Sequence, residues 1–184
     1  IEDIKKMKFF LNIFKIKFFW VGNGVDSKFF YKPLNKKKDY IHFVTTCRIT
    51  PGKGLEDLLV VFNSLIKKYS NIKLTVIGGA VSNSDKIYLA NLMNNKSIFK
   101  ENINIEITGI ISDVPNKLRQ CNYYIHPSYR EGVPKSLLEA MSVGLVVLAS
   151  NIRGAREIII NEKNGFLYKV KNKRELYNQM EKLI

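Results

Sequence analysis

Cysteine, histidine, tryptophan and proline are scarce in this chain: two, two, one and five among 184 residues. Cys47 and Cys121 form no CxxC pair and have no metal-ligand spacing, which excludes a zinc ribbon and a disulfide framework. Both fall at expected strand ends and read as reduced, packed thiols of an intracellular protein. His42 and His126 are far apart in sequence, offer no metal site, and read as packed side chains. No repeat, low-complexity tract or secretory signal is present. Acidic residues are also few, 16 against 30 lysines and arginines, for a net charge of +14. That balance suits nucleic acid, an anionic membrane surface or phosphorylated substrates. No DNA- or RNA-binding signature is visible, so no nucleic-acid partner is expected. Residues 1–20 carry Phe14, Phe18, Phe19 and Trp20, but lysines interrupt the stretch too often for a bilayer span.

With 46% hydrophobic and 11% aromatic residues the chain can build a core. It opens on Ile1 and stops at Ile184 inside an expected helix, so it reads as part of a longer protein. Two units are expected. Residues 1–38 are the remnant of a preceding domain and a basic linker hinged at Pro33; residues 39–184 are the main domain. The first segment could instead lie on a membrane surface as a basic amphipathic stretch. From Tyr40 onward, strand and helix patterns alternate. Ile41–Cys47, Ile72–Ile77, Ile103–Ile107, Tyr123–His126 and Leu145–Ala149 read as strands. Leu55–Tyr69, Asp85–Ile98, a segment from Ser112, Pro134–Val143 and Arg174–Ile184 read as helices, with Ala155–Ile160 a further element. The alternation predicts an α/β, doubly wound, Rossmann-like parallel sheet.

The most informative text is HPSYREGVPKSLLEAMSVGLVVLAS, from His126. A strand, a loop ending in Gly132-Val133-Pro134 and a helix follow one another, with Glu131 and Glu139 separated by seven residues. In open α/β sheets such a loop-to-helix junction binds ligands, because backbone N–H groups and the helix dipole attract phosphate. Glu139 lies about 7–8 Å along the helix at ~1.5 Å per residue, so one carboxylate stands at the phosphate end and another deeper. That layout fits a nucleotide-sugar. Arg48 follows the first strand and Lys53 precedes Gly54 and the next helix, which puts both cations at the carboxyl edge of the sheet. They would offer a planar fork and a point charge to a diphosphate.

These residues resemble the donor-binding core of retaining GT-B glycosyltransferases of family 4, the glycosyl transferases group 1. Three more pieces agree in order: Asn23-Gly24-Val25-Asp26 with Phe30, Arg48 with Lys53-Gly54, and Asn164-Gly165-Phe166-Leu167. The resemblance implies the C-terminal half of a GT-B fold and a nucleotide-sugar donor bound without metal or other cofactor. It implies Arg48 and Lys53 on the diphosphate, with Gly132, Val133, Lys135 and Ser136 forming the phosphate cradle. Glu139 would accept from the ribose hydroxyls, and Glu131 would act on the donor sugar as a positioning and electrostatic residue. Thr108-Gly109 would flank the base or ribose, whereas Gly78-Gly79 departs from the family's Gly-Asp-Gly-like turn and is read as a turn only. The expected partners are a saccharide or lipid-linked acceptor and an N-terminal GT-B domain. The expected location is cytoplasmic, peripheral to the inner face of the plasma membrane. Rival readings are a non-catalytic nucleotide-binding module, sugar-nucleotide epimerisation, and a basic nucleic-acid or membrane-surface module.

Overall fold

A computed structural model of the chain describes residues 24–26, 28–30, 39–95 and 104–184. Most of the expected remnant and linker, including the Pro33 hinge, and residues 96–103 lie outside the described residues. Six strands form one sheet: β1 (Ile41–Thr46), β2 (Ile72–Ile77), β3 (Ile105–Ile107), β4 (Tyr123–His126), β5 (Val146–Ser150) and β6 (Phe166–Tyr168). Every pairing is parallel and the spatial order is β3-β2-β1-β4-β5-β6. Helices α1 (Leu55–Leu65), α2 (Asn83–Asn94), α3 (Val114–Arg119), α4 (Lys135–Ser142), α5 (Arg153–Arg156) and α6 (Lys173–Lys182) connect or follow the strands.

Successive strand residues point to opposite faces, so each strand feeds two cores. Phe43, Ile125 and Leu148 face α1 and α6, where Leu55, Leu58, Leu59 and Phe62 of α1 meet Leu176 and Met180 of α6. The spacing of those α1 residues is the apolar stripe of a helix packed on a sheet. Their neighbours Val44, Tyr124 and Val147 face Leu118 of α3 and Leu137 and Ala140 of α4. Each fully buried Val, Leu, Ile, Phe or Met among them contributes roughly 1.5–3 kcal/mol.

Several boundaries differ from expectation for local reasons. α1 stops at Leu65, where the amides of Lys68 and Tyr69 both turn back to the Leu65 carbonyl. α2 starts two residues early, because Ser82 and Asp85 form a capping box. Ala155–Ile160 contributes only the end of the four-residue α5. β6 is a strand that the sequence pattern does not announce: it has three residues and lies at the sheet edge.

Strand order reverses between β1 and β4, the two strands on either side of the midpoint. The helices that follow these two strands, α1 and α4, pack on opposite faces of the sheet, and in this topology ligands bind in the crevice at the carboxyl ends of such strands. The described part of the leading segment docks nearby: Ser142 Oγ donates to the Phe30 carbonyl at 2.7 Å.

Candidate active site

The loop leaving β1 is pressed onto the loop leaving β4. Gly54 has φ +70°, and a Cβ there would lie 2.1 Å from the Pro127 carbonyl oxygen, so only glycine allows this approach. The Tyr129 amide donates to the Gly52 carbonyl at 2.9 Å and ties the loops together. Lys53 thereby comes within reach of Glu131, and its Nζ donates to Glu131 Oε1. Both side chains are about a quarter exposed. Ser128 Oγ donates to the same carboxylate oxygen at 3.3 Å. Behind this loop, a Cβ on Gly154 would fall 1.6 Å from the Gly132 carbonyl oxygen, so the β5–α5 turn backs directly onto the Glu131-Gly132 segment.

Glu131 is thus held at the mouth of α4. Pro134 is the N-cap of that helix rather than its first residue, with extended backbone and no side chain closing the end. The first-turn amides, including Lys135 and Ser136, therefore meet no capping side chain, and the helix dipole adds partial positive charge there. Glu139 sits one turn further in and is partly buried. Burial raises its carboxyl above the ordinary range, and Lys135 partly opposes that shift. A group so placed favours hydrogen-bond donors from a ligand.

Arg48 is placed differently from Lys53. Its side chain is half exposed and turns toward the start of α2, where Nε donates to Asp85 Oδ2 at 2.7 Å. The structure therefore brings Lys53, Glu131, Gly132, Val133, Lys135 and Ser136 together and seats Arg48 on the neighbouring flank, with a carboxylate of its own.

His126 ends β4, is 3% exposed and stacks on Tyr124 with 6.4 Å between ring centroids. Burial lowers its pKa to about 4, with Glu131 opposing and Lys53 reinforcing the shift, so the ring is neutral at physiological pH. Cys47 directly follows β1 and is half-buried, and burial pushes its thiol up to about 11. His126 is packed, as expected. His42 is also packed: its ring nitrogens contact Gln120 O at 3.2 Å and Thr75 Oγ1 at 2.8 Å. Gly78, expected in a turn, instead forms an isolated antiparallel bridge with Gly109, its amide donating to the Gly109 carbonyl at 2.9 Å.

An open cavity of about 970 Å³ adjoins the Glu131 loop, lined by Arg130, Glu131, Gly132, Val133, Arg153 and Arg156, among others. Arg156 Nη1 donates to Asn151 O at 3.0 Å and Oδ1 at 2.9 Å. Sequence reasoning gives none of these arginines a role, although Arg130 stands directly before Glu131. It also misses Asp85, whose signal is the Ser-x-x-Asp pattern at residues 82–85.

The family profile described as "Glycosyl transferases group 1" matches residues 26–184. The chain belongs to the group 1 glycosyl transferases. The capsular polysaccharide biosynthesis glycosyltransferase CapM of Staphylococcus aureus is 26% identical over 179 residues, covering 90% of this chain and 44% of CapM. An Escherichia coli UDP-Gal:alpha-D-GlcNAc-diphosphoundecaprenol alpha-1,3-galactosyltransferase is 29% identical over 162 residues, covering 80% of this chain and 40% of that protein. The chain thus spans less than half the length of these relatives. Among solved structures, the C-terminal domain of the group 1 protein LpcC from Francisella tularensis superposes with a TM-score of 0.71 at 25% identity and 87% coverage of both chains. Anabaena HepE in complex with UDP and glucose gives a TM-score of 0.74 at 20% identity, over 87% of this chain and 45% of that one, a likeness of fold. The group 1 domain described here is therefore a Rossmann-like half of a GT-B fold.

Proposed function

We propose that this domain is the donor-binding half of a retaining glycosyltransferase that transfers a hexose-type sugar from a nucleotide-diphosphate-sugar. The acceptor is a saccharide or a lipid-linked saccharide in surface polysaccharide or glycolipid synthesis, in keeping with what the names of CapM and the E. coli relative say of those proteins. The observation that carries the reading is the Lys53–Glu131 contact beside the uncapped start of α4, at the switch point of the sheet.

As the bond from the sugar C1 to the phosphate oxygen breaks, negative charge builds on the leaving diphosphate. Lys53, the amides around Val133, Lys135 and Ser136, and the α4 dipole oppose that charge, and fixed donors of this kind need no reorganisation during the reaction. Metal-free binding follows from that set. Glu139 takes the ribose hydroxyls and Glu131 the sugar. The arginine-lined cavity beyond Glu131 is the side from which an acceptor would approach. Proximity and water exclusion depend on the opposing GT-B domain, so the 184 residues alone bind donor and hydrolyse it slowly at most. Action at the inner face of the plasma membrane fits the net charge of +14, and no helix among the described residues is long and apolar enough to cross a membrane.

A thermal-shift panel of UDP-, GDP- and ADP-sugars in EDTA tests the proposal. One nucleotide class should raise the melting temperature of the wild type and fail to do so for Lys53→Ala. No shift with any of them, or a shift that EDTA abolishes, would refute it.

A further inference from the structure

The segment from Gly78 to Asp85 has no role in the donor-binding scheme above, yet it builds the second cation–carboxylate contact at the sheet's carboxyl edge. Asp85 is 2% exposed. Its Oδ2 accepts from Arg48 Nε at 2.7 Å, from the Ser82 amide at 3.0 Å and from the Val81 amide at 3.2 Å. Ser82 Oγ in turn accepts from the Asp85 amide at 3.2 Å and from Arg48 Nη2 at 3.3 Å. Hydrogen bonds from the Ser82 backbone, then from the Arg48 guanidinium, hold the Asp85 carboxyl far below the usual carboxylate range.

A guanidinium is a rigid plane with five N–H groups. Asp85 and Ser82 take the side edge, formed by Nε and one Nη2 hydrogen. The end edge, formed by Nη1 and the other Nη2 hydrogen, has no protein partner among the described residues. Arg48 leaves the carboxyl end of β1 next to the crevice, and its side chain is half exposed. A planar fork with one edge clamped and the other open matches two oxygens of a phosphate. A clamped arginine has also lost its rotamer freedom before the ligand arrives.

We propose that Asp85, with Ser82, is a positioning residue for donor binding: it clamps the side edge of Arg48 so that the end edge receives the diphosphate. This rests on the donor-binding reading above. The opposite reading, in which Asp85 withholds Arg48 from the ligand, predicts changes of opposite sign.

The test is a set of titrations of the full chain with whichever of UDP, GDP or ADP stabilises the wild type most, and with the matching nucleoside, followed by NMR. Wild-type binding of the diphosphate tests the donor reading, and its absence overturns both proposals. Arg48→Ala should weaken the diphosphate about tenfold or more. Asp85→Asn keeps an acceptor for the Ser82 and Val81 amides but loses the charge, and should weaken the diphosphate by roughly three- to tenfold. Nucleoside affinity should stay unchanged in both variants. Adding Asp85→Asn to Arg48→Ala should cause no further loss, because the clamp then holds nothing. Tighter diphosphate binding by Asp85→Asn would make the contact a brake and overturn the clamp. Equal losses for nucleoside and diphosphate, or additive losses in the double variant, would reduce Asp85 to a helix cap and overturn it as well.

Discussion

Two cation–carboxylate pairs flank the same crevice, and they are built differently. Lys53 and Glu131 come from the loops after β1 and β4, and each is about a quarter exposed. Glu131 takes one further donor, the Ser128 hydroxyl. Arg48 comes from the loop after β1 and Asp85 from the first turn of α2; the side chain of the arginine is 50% exposed and that of the aspartate 3%. Asp85 is satisfied by two backbone amides besides its cation. One carboxylate therefore leans on its lysine, whereas the other is part of a helix cap and has an arginine leaning on it. A diphosphate that takes Lys53 must compete with Glu131; one that takes Arg48 need not disturb Asp85. In the second pair the half-exposed arginine is the partner open to a ligand.

The largest expected effect separates the pairs by stability in acid. Burial beside the Lys53–Glu131 pair holds the folded pKa of His126 near 4 against an ordinary 6.5, with Glu131 opposing and Lys53 reinforcing the shift. The unfolded chain takes up that proton first, so stability is full above pH 6.5 and falls as pH drops toward 4. The loss is about 3 kcal/mol, because each tenfold difference in proton affinity between the folded and unfolded chain is worth ~1.4 kcal/mol. Urea unfolding at pH 7 and pH 4.5 measures it, and His126→Phe should flatten the dependence in that window. The carboxyl of Asp85 titrates far below the usual range, so its pair stays intact there.

Next in size is Lys53→Ala, which should weaken nucleoside diphosphate binding by about 1.5–3 kcal/mol, typical of hydrogen bonds to charged groups. Calorimetry checks this. If Lys53 proves dispensable while Arg48 is not, the roles assigned to the two pairs are exchanged.

The smallest effect concerns Glu139. Burial raises its carboxyl, so the folded state holds the proton more tightly and loses stability as pH rises through the ordinary carboxylate range. Glu139→Gln should stabilise the ligand-free protein at pH 7 by roughly 1 kcal/mol or less, and by less still in acid. The same variant should bind a ribonucleotide more weakly while a 2′-deoxy analogue changes less. Equal losses for both ligands would remove Glu139 from the 2′-hydroxyl.

Most of the scaffold is legible in the sequence. β2 and β4 fall where apolar, β-branched and aromatic runs put them, and the loop-to-helix text around Glu131 locates the crevice. Short edge elements are not legible: Phe166–Tyr168 carries too few residues for any periodicity to register. Side-chain direction is not legible either. Arg48 and Lys53 are five residues apart in the same loop after β1, yet the turn through Gly52 gives them different carboxylates, Asp85 at the start of α2 and Glu131 after β4. Asp85 escapes a reading of the sequence because its Ser-x-x-Asp pattern announces only a helix cap, and only the fold brings Arg48 to it.

The most direct measurement is an amide NMR titration of the chain with nucleoside diphosphate in EDTA. Saturable shifts should be largest at the backbone amides of Lys135 and Ser136 and should disappear in Lys53→Ala. Shifts confined to other surfaces, or present only when a divalent metal is supplied, would contradict a donor diphosphate held by Lys53 and the start of α4.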